Sequence, residues 1–385
     1  MRISDETGRA LECQIVRCLR GKQELSRVEL ARRMELAPST IGVYVDRLIS
    51  TGYLQEGRKL AQGTGRPATA IGLNPSAGCF AGIDFEGRHF WVTAVDFAQQ
   101  VLHSKRVLIQ PSETAESVLE KAEITIASTI GVDRKLLGLA IGVPGLVDME
   151  NGVAIHYSHI RGWNDLPLRQ RFEARFKVPV SLENNIRAMA LAEELFGQGQ
   201  GVRDFICVGV RSGIAAGIVM NHQLYTGANH LAGEIGNYPC PQGATLEQRA
   251  SLLAVMDTLE EAIRNGEPTK LSLRRDRLHL QDLLVAARAD DPLVHDVLWN
   301  TGKVLGRVLA QITFVLNPER IIVSGPLAEF ESTFIRSIRE AMDTLLLPPH
   351  SKMPEVIGST LGEFSGALGA AALAVREWTP DPREN

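Results

Sequence analysis

The chain has 385 residues, 44% of them apolar and 22% charged, with a formal net charge of −4. This length exceeds what one hydrophobic core usually supports, so two or three domains are expected. No stretch reaches the roughly 18 consecutive apolar residues of a membrane helix, and the N-terminus lacks a signal peptide's apolar core, so a soluble, intracellular protein is expected. The five widely spaced cysteines accordingly indicate free thiols in a reducing cytoplasm.

The first 75 residues carry the basic excess, with 12 Lys and Arg against 8 Asp and Glu. Apolar residues at helical spacing over 11–19 predict a first helix. Ser26 followed by Glu29 is a capping-box pattern that opens a second helix, and Pro38 opens a third that runs until Gly52. A supporting helix followed by two short helices with a tight turn is a helix-turn-helix arrangement.

The predicted third helix and the segment after it supply candidate DNA contacts. Its outward face carries residues able to meet base edges and phosphates in a major groove, namely Ser39, Thr40, Val43, Tyr44 and Arg47. A glycine-rich basic segment between two short apolar stretches predicts a two-stranded wing, whose tip would carry Arg58, Lys59 and Arg66 towards the DNA backbone or minor groove. These residues alone also fit a small helical domain with a solvated basic face.

After a short linker over 74–77, the chain alternates between apolar strands and polar turns. One buried strand ends in Asp84 and a tight turn through Gly87. A later apolar run delivers the polar triplet Glu183-Asn184-Asn185, and a helical pattern follows as far as Gly197. In open α/β sheets ligands bind at the carboxyl ends of strands, so the triplet is predicted at a ligand site.

Two further segments follow that helix. An apolar strand over 205–210 is predicted to lead into a glycine-broken turn over 211–217. The next polar segment contains Gly233-Glu234-Ile235-Gly236.

In their order these motifs resemble the ROK family (repressors, open reading frames, sugar kinases), over about residues 80 to 375. The winged helix-turn-helix of ROK repressors also includes the element Gly65-Arg66-Pro67. The resemblance implies an α/β protein in which a winged helix-turn-helix over 1–75 precedes an actin/hexokinase-like (ribonuclease H-like), two-lobed ATPase-type domain over 76–378. The tail over 379–385 is predicted to be disordered.

The nucleotide-binding motifs of the family are altered in this chain. Its first phosphate loop reads D-x-G-G-T, but Glu86 and Arg88 replace a Gly and the Thr here, and a carboxylate would repel a polyphosphate. Its second loop reads G-T-G-I-G-A-G, and Arg211 and Ala215 replace two of the glycines. The later adenosine motif keeps one glycine, Gly325. No ATP or other cofactor is therefore expected.

The catalytic position of the family is altered as well. In its kinases the Asp of E-N-D-x-N takes the proton from the attacking sugar hydroxyl, and Asn185 occupies that position here. An amide has no basic oxygen to hold the proton, so general-base assistance worth about 10²- to 10⁴-fold is absent. The chain is therefore predicted not to be an enzyme and to have no catalytic residue.

The resemblance also implies a set of sugar-binding positions. Hexose hydroxyls are held in the family by an Asn and two Glu residues that correspond to Asn184, Glu234 and Glu247, and Asn185 can still hydrogen-bond. Two positions depart from the pattern, with His159 in place of an Asn and Asn237 in place of a His. The alternative interpretation makes Glu234 an ion-pair partner and Asn184 a helix cap.

Many members of the family hold a structural zinc through three cysteines and the His that Asn237 replaces here. Only Cys240 remains of this set, and tetrahedral zinc needs four ligands, so no metal is predicted.

The sequence thus predicts a DNA-binding transcriptional regulator of the repressor type, acting on carbohydrate-related genes. Its expected partners are double-stranded operator DNA, a small-molecule sugar effector and its own copies in a homodimer or tetramer. The alternative is a ROK-type sugar kinase, which phosphorylates a hexose with ATP and carries a DNA-binding appendage. A third hypothesis is a regulator whose second domain serves only dimerisation, or responds to a phosphorylated sugar or a partner protein.

Overall fold

The computed structural model describes residues 5–21, 24–60, 68–273, 277–345 and 353–380. The chain forms two compact units. The first unit comprises residues 1–185 and 370–385, and the second comprises residues 186–369.

The first unit begins with the predicted winged helix-turn-helix. Its elements are α1 (Asp5–Cys18), β1 (Leu25–Ser26), α2 (Arg27–Arg33), α3 (Pro38–Ser50), β2 (Leu54–Leu60) and β3 (Ala68–Leu73). The strands form an antiparallel sheet in the order β1-β3-β2. The predicted capping box is confirmed, because the Ser26 side chain accepts from the Glu29 N–H at 3.2 Å and the Glu29 carboxylate accepts from the Ser26 N–H at 2.8 Å. Such a cap stabilises a helix by about 1 kcal/mol.

A five-stranded sheet follows in the first unit. Its elements are β4 (Cys79–Phe85), β5 (His89–Asp96), β6 (Val101–Leu108), α4 (Ala115–Ile130), β7 (Leu136–Val143), β8 (Leu146–Asp148), β9 (Val153–His156), β10 (Asn164–Leu166), α5 (Leu168–Phe176) and β11 (Val180–Asn184). The sheet order is β11-β7-β4-β5-β6, and β8 to β10 form a separate small antiparallel sheet. Buried residues of both helices, including Val118 and Phe172, share one hydrophobic core with the strands.

The second unit repeats this strand order. Its elements are α6 (Asn185–Phe196, beginning on the last residue of the first unit), β12 (Phe205–Val210), β13 (Ile214–Met220), β14 (Gln223–Tyr225), α7 (Leu246–Ala250), α8 (Leu252–Arg264), α9 (Leu280–Arg288), α10 (Pro292–Leu316), β15 (Arg320–Ser324), α11 (Arg336–Leu345), β16 (Glu355–Gly358) and the beginning of α12 (Ser365–Glu377), which passes into the first unit after residue 369. The sheet order is β14-β13-β12-β15-β16. Strands β14, β13 and β12 pair antiparallel, whereas β15 pairs parallel with both β12 and β16, which is the pattern of the first unit read from β6 to β11. The predicted α/β fold is thereby confirmed.

Residues 370–377 of α12 and the segment after them belong to the first unit and pack beside the winged helix. The Trp378 ring lies 4.8 Å from the Tyr53 ring and 4.9 Å from the Phe97 ring, measured between centroids. Arg20 of α1 donates to the Val375 carbonyl at 2.5 Å, and the Cys13 thiol lies 4.0 Å from the Trp378 carbonyl oxygen. The first unit is therefore discontinuous in sequence.

The predicted linker over 74–77 is an ordered 3₁₀ turn, in which the Asn74 amide donates to the Gly52 carbonyl at 2.7 Å. The domain boundary at 75/76 stays a prediction. Of the predicted tail, residues 381–385 lie outside the described residues.

Candidate DNA-binding face and ligand site

Helix α3 presents part of the predicted recognition face to solvent. Ser39 is exposed, Thr40 is half-buried, and Val43 exposes 65% of its surface. Ile41, Val45 and Leu48 are buried on the opposite side, at the spacing of a helix that packs one stripe into a core. The orientation of α3 predicted from its apolar residues is therefore confirmed.

Tyr44 does not lie on the outward face, which corrects the sequence prediction. It is only 8% exposed, and a Cβ added at Gly8 of α1 would lie 3.4 Å from the Tyr44 ring. Position 44 is three residues after buried Ile41, so it falls inside the core-facing stripe. Its hydroxyl suggested exposure, but the packing of α1 against α3 covers it.

Arg47 also contacts α1, through an ion pair with Glu12. Its Nε lies 3.4 Å from a carboxylate oxygen of Glu12, and 40% of its side chain remains exposed. The same guanidinium thus combines an internal ion pair with a surface that can reach DNA.

The wing carries exposed cations on β2. Arg58 and Lys59 are both exposed, and Arg58 lies 3.6 Å from Glu24 in a pair that is itself open to solvent. Exposed pairs of this kind contribute little to stability, so Arg58 can exchange Glu24 for a phosphate at small cost. Arg66 lies outside the described residues.

Sequence reasoning missed a hydrogen-bonded bridge between α3, the predicted recognition helix, and strand β2 of the wing. Arg27, the first residue of α2, donates to Asp46 of α3 at 2.7 Å and to Glu56 of β2 at 3.1 Å. Asp46 is exposed on α3, one turn after Val43, so an acidic group lies on the face predicted to meet DNA. The only signal in the sequence was the isolated acidic residue at helical spacing from Val43.

In the first unit, the strand ends gather the polar ligand candidates. Asn184 ends β11 and Asn185 begins α6, as the sequence predicted, and each is 8% exposed. A Cβ added at Gly142 on the neighbouring strand would lie 3.4 Å from the Asp84 carboxylate and 3.5 Å from the Asn185 Cα. Gly142 thus leaves the room that lets Asp84 and Asn185 approach each other.

His159 lies at the altered first phosphate loop. A Cβ added at Gly87 would lie 2.9 Å from the His159 Cβ, and the His159 ring is 5.1 Å from the Tyr157 ring. The exposed His159 is therefore in the same part of the first unit as the Glu86-Gly87 turn.

In the second unit, the charge of Glu247 acts on the Glu234 carboxyl. Burial raises the pKa of the Glu234 carboxyl, Arg187 lowers it, and Glu247 raises it, with a net upward shift, although the residue as a whole is exposed. Glu247 accepts a hydrogen bond from the Ile214 N–H at 3.0 Å. Asn237 is exposed at the end of the 3₁₀ turn that follows Glu234. Two acceptors and an amide are thus available for hydroxyl groups.

The segment predicted as a turn over 211–217 is mostly strand, which corrects that prediction. The turn covers only Arg211 to Gly213, closed by a hydrogen bond between the Arg211 N–H and the Gly213 carbonyl at 2.9 Å, and β13 begins at Ile214. Arg211 is buried, and its guanidinium lies 3.9 Å from the Met189 sulfur. The side chain that replaces a family glycine therefore occupies the interior beside this loop.

Metal ligands do not gather within the described ranges. No group of three or more His, Cys, Asp or Glu side chains there lies close enough to hold an ion. The absence of zinc stays a prediction. No helix among the described residues is long and apolar enough to cross a membrane.

Comparisons with known proteins cover both parts of the chain. Residues 9–55 match a winged helix-turn-helix DNA-binding family, and residues 80–377 match the ROK family. The chain is 28% identical to the DNA-binding transcriptional dual regulator NagC of Escherichia coli, over 91% of this chain and 89% of that protein.

Solved structures give the same division. A ROK family transcriptional regulator, a homologue of the E. coli Mlc protein, aligns with a TM-score of 0.80 and 26% identity over 97% of this chain and 96% of its own. A ROK family glucokinase from Streptomyces griseus, in complex with glucose and AMPPNP, aligns with a TM-score of 0.68 and 26% identity over 77% of this chain and 99% of its own. Since the ROK match spans most of its length, this chain belongs to the ROK family.

Proposed function

We propose that the chain is a cytoplasmic transcriptional regulator that represses carbohydrate-related genes and releases or tightens its operator DNA in response to a sugar. The observation that supports this most directly is a winged helix-turn-helix in the same chain as a ROK domain whose catalytic position holds Asn185. The regulator relatives align with both parts of the chain, whereas the glucokinase aligns with 77% of it.

The DNA-binding residues in this proposal are those that the structure leaves accessible. They are Ser39, Thr40 and Val43 of α3, the exposed part of Arg47, and the wing residues Arg58 and Lys59. The protein would bind as a homodimer to a near-palindrome whose half-sites are spaced by whole helical turns.

The effector in this proposal is a sugar or sugar derivative. The residues proposed to hydrogen-bond its hydroxyls are those predicted from the sequence. In the first unit they are His159, Asn184 and Asn185, and in the second unit they are Glu234, Asn237 and Glu247. Burial raises the pKa of the Glu234 carboxyl, which favours the protonated form, and a protonated carboxyl can both donate to and accept from the hydroxyls of a polyol. An effector shifts DNA affinity only by binding the two states of the regulator unequally.

The test is a titration of the protein into DNA from upstream of its own gene, at fixed salt, with a panel of free sugars and sugar phosphates. One sugar should shift the affinity for DNA tenfold or more, and Glu247→Gln should abolish the shift while DNA binding persists. Glu116→Gln, an exposed carboxylate on α4 paired with Arg171, is the matched control and should respond as the wild type does. Absence of a specific complex at any salt contradicts DNA binding, and a complex that no sugar alters contradicts the sugar effector.

A further inference from the structure

A buried acidic residue lies behind the recognition helix. Glu12 of α1 is 1% exposed, and neither of its carboxylate oxygens accepts a hydrogen bond from the described residues. Burying a carboxylate without hydrogen bonds opposes folding unless a cation compensates its charge. A neutral or apolar side chain at this position would satisfy packing at lower cost, so packing alone does not account for a carboxylate.

The compensating cation comes from the recognition helix. The Arg47 Nε lies 3.4 Å from the Glu12 carboxylate, and Arg9 on the same helix as Glu12 is the second cation that acts on it. One turn earlier on each helix, Gly8 meets the Tyr44 ring. Helices α1 and α3 are thus in contact along two successive turns, and Glu12 approaches the Arg47 guanidinium from the protein side.

We propose that Glu12 is a positioning residue for DNA recognition, which fixes the Arg47 guanidinium in one orientation on the surface of α3. This inference rests on the proposed DNA-binding function. The planar guanidinium has five donors in a rigid fork, so contact at Nε determines where the remaining N–H groups point. An arginine fixed before binding loses less side-chain entropy when it meets a base or a defined phosphate.

Orientation matters for the specific complex and not for non-specific attraction. Non-specific binding depends on counterion release, which a freely rotating arginine supplies equally well. Glu12 should therefore raise the ratio of specific to non-specific affinity and leave the non-specific affinity almost unchanged.

The experiment uses full-length Glu12→Gln, which removes the charge and keeps the size. Binding is measured by fluorescence anisotropy to DNA from upstream of the gene and to a scrambled duplex of equal length, over a range of salt. We expect specific affinity to fall about tenfold, the scale of one ordered charged side chain, with no change on the scrambled duplex. Because an amide is cheaper to bury than a carboxylate, the thermal unfolding midpoint should not fall, which a purely structural role would require.

A double-mutant cycle shows whether Glu12 acts through Arg47. In an Arg47→Met background, Glu12→Gln should have no further effect on the ratio of specific to non-specific affinity. With Arg47 present, Glu12→Asp keeps the charge and should retain part of the wild-type ratio. Glu116→Gln is the control and should leave the ratio unchanged. If Glu12→Gln does not fold, Arg47→Lys carries the test, because lysine keeps the charge but has no fork to be oriented, and it should lower the ratio.

The inference fails if wild-type protein binds its operator specifically and Glu12→Gln, or Arg47→Lys in its place, leaves the affinity ratio unchanged. It also fails if Glu12→Gln strengthens binding to both duplexes equally, since Glu12 would then hold Arg47 away from DNA. A wild type that forms no specific complex contradicts the proposed function itself.

Discussion

The carboxylate that caps α10, the longest described helix, allows a quantitative prediction about the stability of the second unit. Asp291 is fully buried, and its side chain accepts from the N–H groups of Leu293 and Val294 at 3.1 and 3.2 Å, which caps α10. The other oxygen accepts from the Lys270 N–H at 2.7 Å and the Thr269 hydroxyl at 3.0 Å. One side chain therefore ties a loop to the first turn of α10.

Removing this carboxylate should destabilise the unit strongly. Loss of an N-cap costs about 1 kcal/mol, and a buried donor left without an acceptor costs about 1–3 kcal/mol. We expect Asp291→Ala to lower the free energy of unfolding by about 3 kcal/mol. Asp291→Asn keeps one oxygen and presents an N–H₂ group to the donors on the other side, so a loss of about 1–3 kcal/mol is expected.

The same contacts predict the pH dependence. Burial alone would raise the pKa of Asp291, but the hydrogen bonds from Lys270, Val294, Thr269 and Leu293 outweigh it, so the pKa lies below the ordinary value of 3.8. Because the pKa is lower in the folded state, the ionised carboxylate stabilises the folded protein at pH values above the unfolded-state pKa. This stabilisation is lost as the pH falls through the folded-state pKa. The stability difference between wild type and Asp291→Asn should be constant above pH 4 or so and shrink below it.

Urea unfolding measures these differences by tryptophan fluorescence, to which Trp299 contributes the signal of the second unit. Trp299 lies in α10 and is the one tryptophan between residues 186 and 369. Asp290→Asn is the matched control, because Asp290 is exposed and its positive φ of 50° is tolerated by Asn. Equal unfolding midpoints for Asp290→Asn and Asp291→Asn would refute the reasoning.

Three further predictions concern other parts of the chain. Asn185→Asp should not produce sugar-dependent ATP turnover, because Glu86 and Arg211 still alter the nucleotide loops; turnover in a coupled assay would contradict that reasoning. Gly302→Ala should unfold at a lower temperature by calorimetry, because its Cβ would overlap Ser337 at 1.9 Å, and an unchanged midpoint would show that α10 and α11 separate freely. Trp378→Ala should cost about 3–5 kcal/mol in the first unit, since it empties a buried aromatic cluster, and a loss below about 1 kcal/mol by urea titration would show that the cluster is loosely packed.

Local chemistry made much of the fold predictable. The Ser26 and Glu29 capping box, the strand over 205–210 and the helix that begins at Asn185 all depend on residues near one another in sequence. The same holds for the position of Asn185, because a polar group after an apolar run is placed at a strand end by the alternation of strand and helix alone.

The errors and omissions arise where distant segments meet. Tyr44 is predicted to face solvent because its polar hydroxyl is weighed above its spacing from Ile41, and the contact with Gly8 of α1, which buries the ring, comes from a distant segment. The bridge from Arg27 to Asp46 and Glu56 joins three elements, so no spacing rule reveals it. The predicted turn over 211–217 is too long, because Gly217 lies within β13. Its Cβ position lies 2.4 Å from the Ala190 Cβ, so this glycine is required by close packing of a strand on a helix.

The discontinuity of the first unit also constrains how the protein is made. Trp378 packs on Tyr53, and its carbonyl lies beside Cys13, a residue 365 positions earlier in the chain. During synthesis the winged helix leaves the ribosome long before the segment that completes its surroundings, and the second unit must emerge in between. A nascent or truncated chain that ends before residue 370 therefore lacks the Trp378 ring that packs on Tyr53, so we expect its winged helix to be less stable than in the finished protein.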